Sequence, residues 1–187
     1  MKIGITGSIS AGKSTVLKIL KKRKFSVFSA DEEVKNLYKN RSFVNFISKK
    51  LKLRRKKNLK KQIKTLINTR KLKLKTLEGF IHPLVRKKMI KFVKNNKKKK
   101  IIFLEIPLLS ERNLFNFFDK NIYIGASKKI RLKRFLKTKK SKKLFHILEK
   151  RQHNPRVKMK KCDYVINNNQ SIQLLQNKIK YIISKYE

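Results

Sequence analysis

At 187 residues, 40% of them hydrophobic, the chain is long and apolar enough for one globular domain with a substantial core. Its longest apolar stretch, residues 101–109, is broken by Glu105 and too short to span a bilayer, and the single Cys162 excludes an internal disulfide and fits a reducing compartment. The 54 Lys+Arg against 10 Asp+Glu, formally +44, admit a polyanion binder, but Lys spread along the whole chain, plentiful Asn, Ile and Phe, and Ala only at Ala11, Ala30 and Ala126 favour compositional drift under A+T-rich coding.

Residues 2–6 form the first predicted strand, entered directly from Met1, so no signal peptide is read and a cytoplasmic protein is expected. Gly7-Ser8-Ile9-Ser10-Ala11-Gly12-Lys13-Ser14 follows and matches G-x-x-x-x-G-K-[ST] in full, between that strand and a helical pattern over residues 14–22. The spacing has a physical purpose. Glycines at both ends let the backbone wrap so that successive N–H groups face phosphate oxygens, and the helix N-terminus adds a favourable dipole. Lys13 neutralises the β and γ phosphates and the Ser14 hydroxyl ligates Mg²⁺. ATP or GTP binding follows. The sequence lacks the N/T-K-x-D guanine motif, which points to ATP.

The second predicted strand, residues 25–29, leads to Asp31. Ligands of doubly wound sheets bind outside the carboxyl ends of strands, so Asp31 is expected near the phosphate loop. There it could accept the proton of an attacking hydroxyl or help hold Mg²⁺; equally, it could be an N-cap of the next helix. Residues 32–100 are too many for one crossover and predict a helical insert. Phe43, Val44, Phe46, Ile47 and Leu51 recur at helical spacing, as do Leu59, Ile63, Leu66 and Ile67. Pro83 is expected in the first turn of a further helix bearing Leu84, Val85, Met89, Phe92 and Val93, with His82 just before it.

A third strand, residues 101–106, runs into Pro107, which forces the chain out of the sheet and would carry Glu111 to the cleft rim; Leu108 and Leu109 between them also suit a core. After a fourth strand at residues 121–125 come a helix over residues 130–137, a Lys-rich break, and a helix through Leu144, Ile147 and Leu148. The last strand, residues 164–167, ends at Asn167 and Asn168, placed either beside an adenine or in a simple turn. Ser171 can cap a final helix bearing Ile172, Leu175, Ile179 and Ile182. Five continuous apolar runs alternating with helical patterns predict an α/β protein. Its core would be a P-loop NTPase-type five-stranded parallel sheet flanked by helices, with a helical insert and a lid helix region.

These residues, in this order, resemble the dephospho-CoA kinase family over nearly the whole chain. The family's loop GGIxSGKST corresponds to Gly7 through Ser14 with Thr15, and its Asp-Ala-Asp after the second strand to Ser29-Ala30-Asp31. Its Leu-Glu and His-Pro-Leu-Ile correspond to Leu77-Glu78 and His82-Pro83-Leu84-Val85, followed by Arg86. Its Asp-x-Pro-Leu-Leu-x-Glu corresponds to Glu105-Ile106-Pro107-Leu108-Leu109-Ser110-Glu111. A lid Arg is matched by Arg134, a downstream Gln and Lys by Gln152 and Lys158, and the final Ala-Asp-Tyr-Val-Ile-Asp-Asn by Cys162 through Asn168.

The resemblance implies transfer of the ATP γ-phosphate to the ribose 3′-hydroxyl of dephospho-CoA, the last step of coenzyme A biosynthesis. It implies Asp31 and Lys13 as catalytic residues, and the loop residues with Thr15, Arg134 and Asn168 for ATP. It also implies Ser14 for Mg²⁺, and His82, Arg86, Pro107, Leu108, Leu109 and Glu111 for dephospho-CoA. One kinase domain would span the chain, with a CoA-binding insert at residues 32–100 and a lid at residues 128–152. A monomer with no membrane or specific nucleic-acid partner is expected. The chain departs from the family in several places: Ser29 and Glu105 stand where it has Asp, the insert is shortened and has lost most glycines and acids, and Lys137 and Lys139 flank Thr138, near which the lid has another Arg. Two other readings stand beside this one, a P-loop kinase for a nucleoside or nucleotide, and a basic nucleic-acid-binding NTPase.

Overall fold

The structure is a computed structural model and describes residues 1–53, 58–69, 72–106, 114–139, 141–152 and 154–187. In chain order its elements are β1 (Lys2–Gly7), α1 (Lys13–Lys22), β2 (Ser26–Ser29), α2 (Ala30–Leu37), α3 (Arg41–Lys50), α4 (Leu59–Asn68), α5 (Leu74–Asn95), β3 (Ile102–Glu105), β4 (Lys120–Gly125), α6 (Lys128–Leu136), α7 (Lys142–Lys150), α8 (Pro155–Lys160), β5 (Tyr164–Asn167) and α9 (Ile172–Ser184). They fall into two compact units, one of Met1–Ser29 with Asn96–Glu187 and one of Ala30–Asn95.

The first unit is built on a five-stranded sheet of order β2-β3-β1-β4-β5, parallel throughout. Its central strands are buried along almost their whole length, which is why they read as unbroken apolar runs. Ile3, Ile5, Phe103, Ile122, Ile124 and Ile166 form one core with Val16, Leu17 and Leu20 of α1 and Leu175, Ile179 and Ile182 of α9. Ser171 caps α9 by accepting from the Leu174 N–H, as expected. The chain leaves β1 first towards β2 and β3 and later builds β4 and β5 on the other side. The carboxyl end of β1 therefore lies at the switch point where open α/β sheets bind ligands.

The second unit is helical. Leu37, Phe43, Ile47, Leu59, Ile63, Leu77, Ile81, Val85 and Met89 are among its buried residues. Tyr38 meets Phe43 and Phe46 meets Phe80 edge to face, and Lys88 of α5 pairs with Glu33 of α2 at 3.6 Å. Pro83 departs from expectation: it lies inside the 22-residue α5 and not in a first turn. Proline there removes one N–H and crowds the carbonyl of the residue four back, here Gly79, around whose Cβ position there is open space. The helix continues because Leu77, Ile81, Val85 and Met89, spaced by four, bury one stripe through the proline. The short helix α2 stands where a helix capped by Asp31 was one expectation, whereas α8 went unread in the sequence; α8 is started by Asn154 as cap and Pro155 at its first position.

Candidate active site

The loop between β1 and α1 is fixed by two glycines. Gly7 has φ +151°, and a Cβ there would overlap the Ile124 carbonyl oxygen; Gly12 has φ +102°, and a Cβ there would overlap the Asn168 side-chain amide. Both backbone conformations and both contacts require glycine. Gly12 is the N-cap of α1 and offers no side chain to the first-turn N–H groups; no acidic residue stands in that turn. Unsatisfied N–H groups and the positive end of the helix dipole together favour an anion.

Lys13, 9% exposed, curls back over the loop, and its Nζ donates to Gly7 O at 3.1 Å and Ser8 O at 3.0 Å. The ammonium is thus held at the Gly7–Ser8 limb, with Ser14 and Thr15 opening α1 at the other end.

Side chains from four distant places brace this loop. Ser8, where the family's loop has its second glycine, is buried, and its Oγ lies 2.7 Å from the Tyr123 hydroxyl of β4. Burial pushes the Tyr123 phenol up, and the Ser8 bond and the Arg131 charge pull only partly back, so the hydroxyl keeps its proton. The Ile9 N–H donates to Gln152 Oε1 at 3.0 Å. The Ala11 carbonyl accepts from Asn168 Nδ2 at 2.8 Å and Arg134 Nη1 at 3.3 Å. Arg134 and Asn168, both expected to serve ATP, thus meet on one loop carbonyl. Tyr123 gave no signal in the sequence, and Gln152 gave only its match to the family pattern.

The helices behind Arg134 and Gln152 are clamped together. Arg131 of α6 donates through Nε to Ala126 O at 3.0 Å and through Nη2 to Glu149 of α7 at 2.6 Å, and Lys128 reaches the other Glu149 oxygen at 3.0 Å. Partial burial opposes ionisation of Glu149, yet the bonds from Arg131 and Lys128 outweigh it and hold the carboxyl below its ordinary range. Farther off, burial and the Asp163 charge push the Cys162 thiol up to about 12, so it is inert as a nucleophile.

Two departures from the family pattern meet each other. Ser29 and Glu105 are paired residues at the carboxyl ends of β2 and β3, and Ser29 Oγ donates to Glu105 Oε2 at 2.8 Å. Glu105 is 3% exposed and stands opposite Ile5 of β1 in the parallel register. A glutamate's extra methylene there is accommodated by a short serine on the neighbouring strand. Among the described residues no three His, Cys, Asp or Glu side chains gather to hold a metal by themselves. The oxygens of Ser14 and Glu105 are hard donors of the kind that suits Mg²⁺.

Asp31 belongs to the helical unit. It is exposed and lies inside the first turn of α2, followed by Glu32 and Glu33, so it is a first-turn residue and not an N-cap. His82 and Arg86 lie one turn apart on the same face of α5, His82 half-buried and Arg86 exposed. Pro107, Leu108, Leu109 and Glu111 lie outside the described residues.

Comparison with known proteins agrees with this geometry. The model of a family described as "Dephospho-CoA kinase" matches residues 1–173. The dephospho-CoA kinase of Bartonella henselae is 34% identical over 187 residues, spanning 97% of this chain and 95% of its own. Among solved structures, the dephospho-CoA kinase from Campylobacter jejuni superposes with a TM-score of 0.67 at 29% identity, over 100% of this chain and 97% of its own. TT1252 from Thermus thermophilus shares the fold, with a TM-score of 0.82 at 23% identity over 100% and 98% of the two chains.

Proposed function

Because the chain belongs to the dephospho-CoA kinase family, we propose that it transfers the γ-phosphoryl group of ATP to the ribose 3′-hydroxyl of dephospho-CoA, completing coenzyme A biosynthesis. The observation that carries this reading is the complete phosphate loop, with Lys13 folded over it, inside a family match covering residues 1–173. Lys13 neutralises charge on the β and γ phosphates as it shifts towards the bridging oxygen of the departing ADP, and loop N–H groups other than that of Ile9, which Gln152 holds, act with the α1 dipole to hold the phosphates. Arg134 adds positive charge from α6. Ser14 would hold Mg²⁺ brought in with the nucleotide, with the Glu105 carboxylate as a further hard oxygen donor, and the ion would supply charge neutralisation on the phosphates.

Asp31 is the base. The 3′-oxygen attacks the γ-phosphorus as its proton passes to Asp31, the bond from γ-phosphorus to the bridging oxygen breaks, and ADP leaves. His82, Arg86, Pro107, Leu108, Leu109 and Glu111 bind dephospho-CoA, and residues 32–100 form its helical insert. Residues 128–152 form the lid, with Lys137 and Lys139 supplying point charges in place of the planar fork of a second Arg. The protein acts as a cytoplasmic monomer; no helix among the described residues is long and apolar enough to cross a membrane.

The test is ADP formation from Mg-ATP with a panel of acceptors, dephospho-CoA, nucleosides and nucleoside monophosphates, run beside folded Lys13→Ala. Dephospho-CoA should be the preferred acceptor by kcat/KM, and Lys13→Ala should abolish turnover. Preference for a nucleoside, or near-normal turnover by Lys13→Ala, would contradict the reading.

A further inference from the structure

Gln152 stands directly after α7, and its side chain crosses to the phosphate loop from 143 positions away in sequence. Its backbone N–H continues the helix by bonding Glu149 O at 3.1 Å, and Glu149 is the residue clamped by Arg131 and Lys128. The end of α7 is therefore pinned to α6, and Gln152 is delivered to the loop by a fixed element.

The partner at the loop settles which way the amide faces. The Ile9 N–H can only donate, so the atom 3.0 Å from it must be Oε1, and Nε2 takes the other branch. Among the described residues no acceptor for Nε2 is found, and Gln152 is half-buried. Ile9 follows Gly7 and Ser8, whose carbonyls hold the Lys13 ammonium. Lys13 serves the β and γ phosphates, so this limb is the γ end of the loop, opposite the Ser14–Thr15 end that opens α1. A side-chain N–H pair at that limb has an anionic oxygen as its natural acceptor.

We propose that Gln152 is a two-sided nucleotide contact: Oε1 holds the Ile9 N–H while Nε2 donates to the terminal phosphoryl group of ATP, so that this residue separates ATP from ADP. The proposal rests on the reading that the loop binds ATP. It gives the end of α7 a direct sense of the γ-phosphoryl group, with the Arg131–Glu149 clamp setting its reach.

Calorimetric titration of the full chain with Mg-ADP and with Mg²⁺ and a non-hydrolysable ATP analogue tests it, using wild type, Gln152→Glu and Gln152→Ala. Glutamate keeps an acceptor for the Ile9 N–H but turns a second carboxylate oxygen on the phosphoryl group. The Glu variant should lose at least about tenfold in analogue affinity while ADP affinity changes by less than about threefold. If Gln152 only braces the loop, glutamate will serve as well as glutamine, and alanine will weaken both nucleotides alike; either result overturns the proposal. Wild-type protein that binds neither nucleotide would overturn the ATP reading itself, and this inference with it.

Discussion

Asp31, with Glu32 and Glu33 beside it, lies in the first turn of α2. A carboxylate there gains about 0.3–1 kcal/mol from the helix dipole, so replacing it with Asn should cost little stability. As the base it would supply about 10²–10⁴-fold in rate, which Asn cannot because it takes no proton. We therefore expect folded Asp31→Asn to lose that factor in kcat at saturating ATP and dephospho-CoA, with a melting temperature close to wild type. A wild-type kcat would remove Asp31 from the mechanism. At this scale the phosphate loop was legible because its spacing is local and complete. The braces were not: Ser8 with Tyr123 and Ile9 with Gln152 are pairings 115 and 143 positions apart that no short motif encodes. Asn168 was legible as a residue after the last strand, but its bond to the Ala11 carbonyl was not.

Among the elements, the five strands announced themselves because strands buried on both faces need continuous apolar residues. The helical stripes of α3 and α4 were equally plain. Pro83 misled because proline's preference for a first turn is a local rule, and the buried stripe of α5 overrides it. The clamp on α7 was invisible, since Glu149 looks like any helix-surface acid until Arg131 is found against it. Its consequence is a pH dependence with a definite sign. The Glu149 carboxyl is held below its ordinary range, so its contribution is full above the unfolded carboxylate value and is lost as pH falls through the lower folded one. Protection of the α7 amides against hydrogen exchange, corrected for intrinsic rates, should drop from about pH 5 to about pH 3 in wild type and stay flatter in Glu149→Gln. An equal drop in both proteins would show that the clamp does not hold α7.

For the whole molecule, the dominant feature is charge. With 54 basic and 10 acidic side chains, most Lys and Arg have no acid to meet, and several of the described acids are used in pairs such as Lys120–Asp163 at 2.9 Å and Arg131–Glu149 at 2.6 Å. The exposed cations among the described residues should attract polyanions at low salt, an affinity screened at about 0.15 M. The measurement that tests the kinase account most directly is ADP formation from Mg-ATP at that ionic strength, with dephospho-CoA and RNA added separately and together. ADP should form with dephospho-CoA, in step with a 3′-phosphorylated product, and RNA should leave the rate unchanged. ADP formation that requires RNA and ignores dephospho-CoA would contradict the account and make the chain a nucleic-acid-stimulated ATPase.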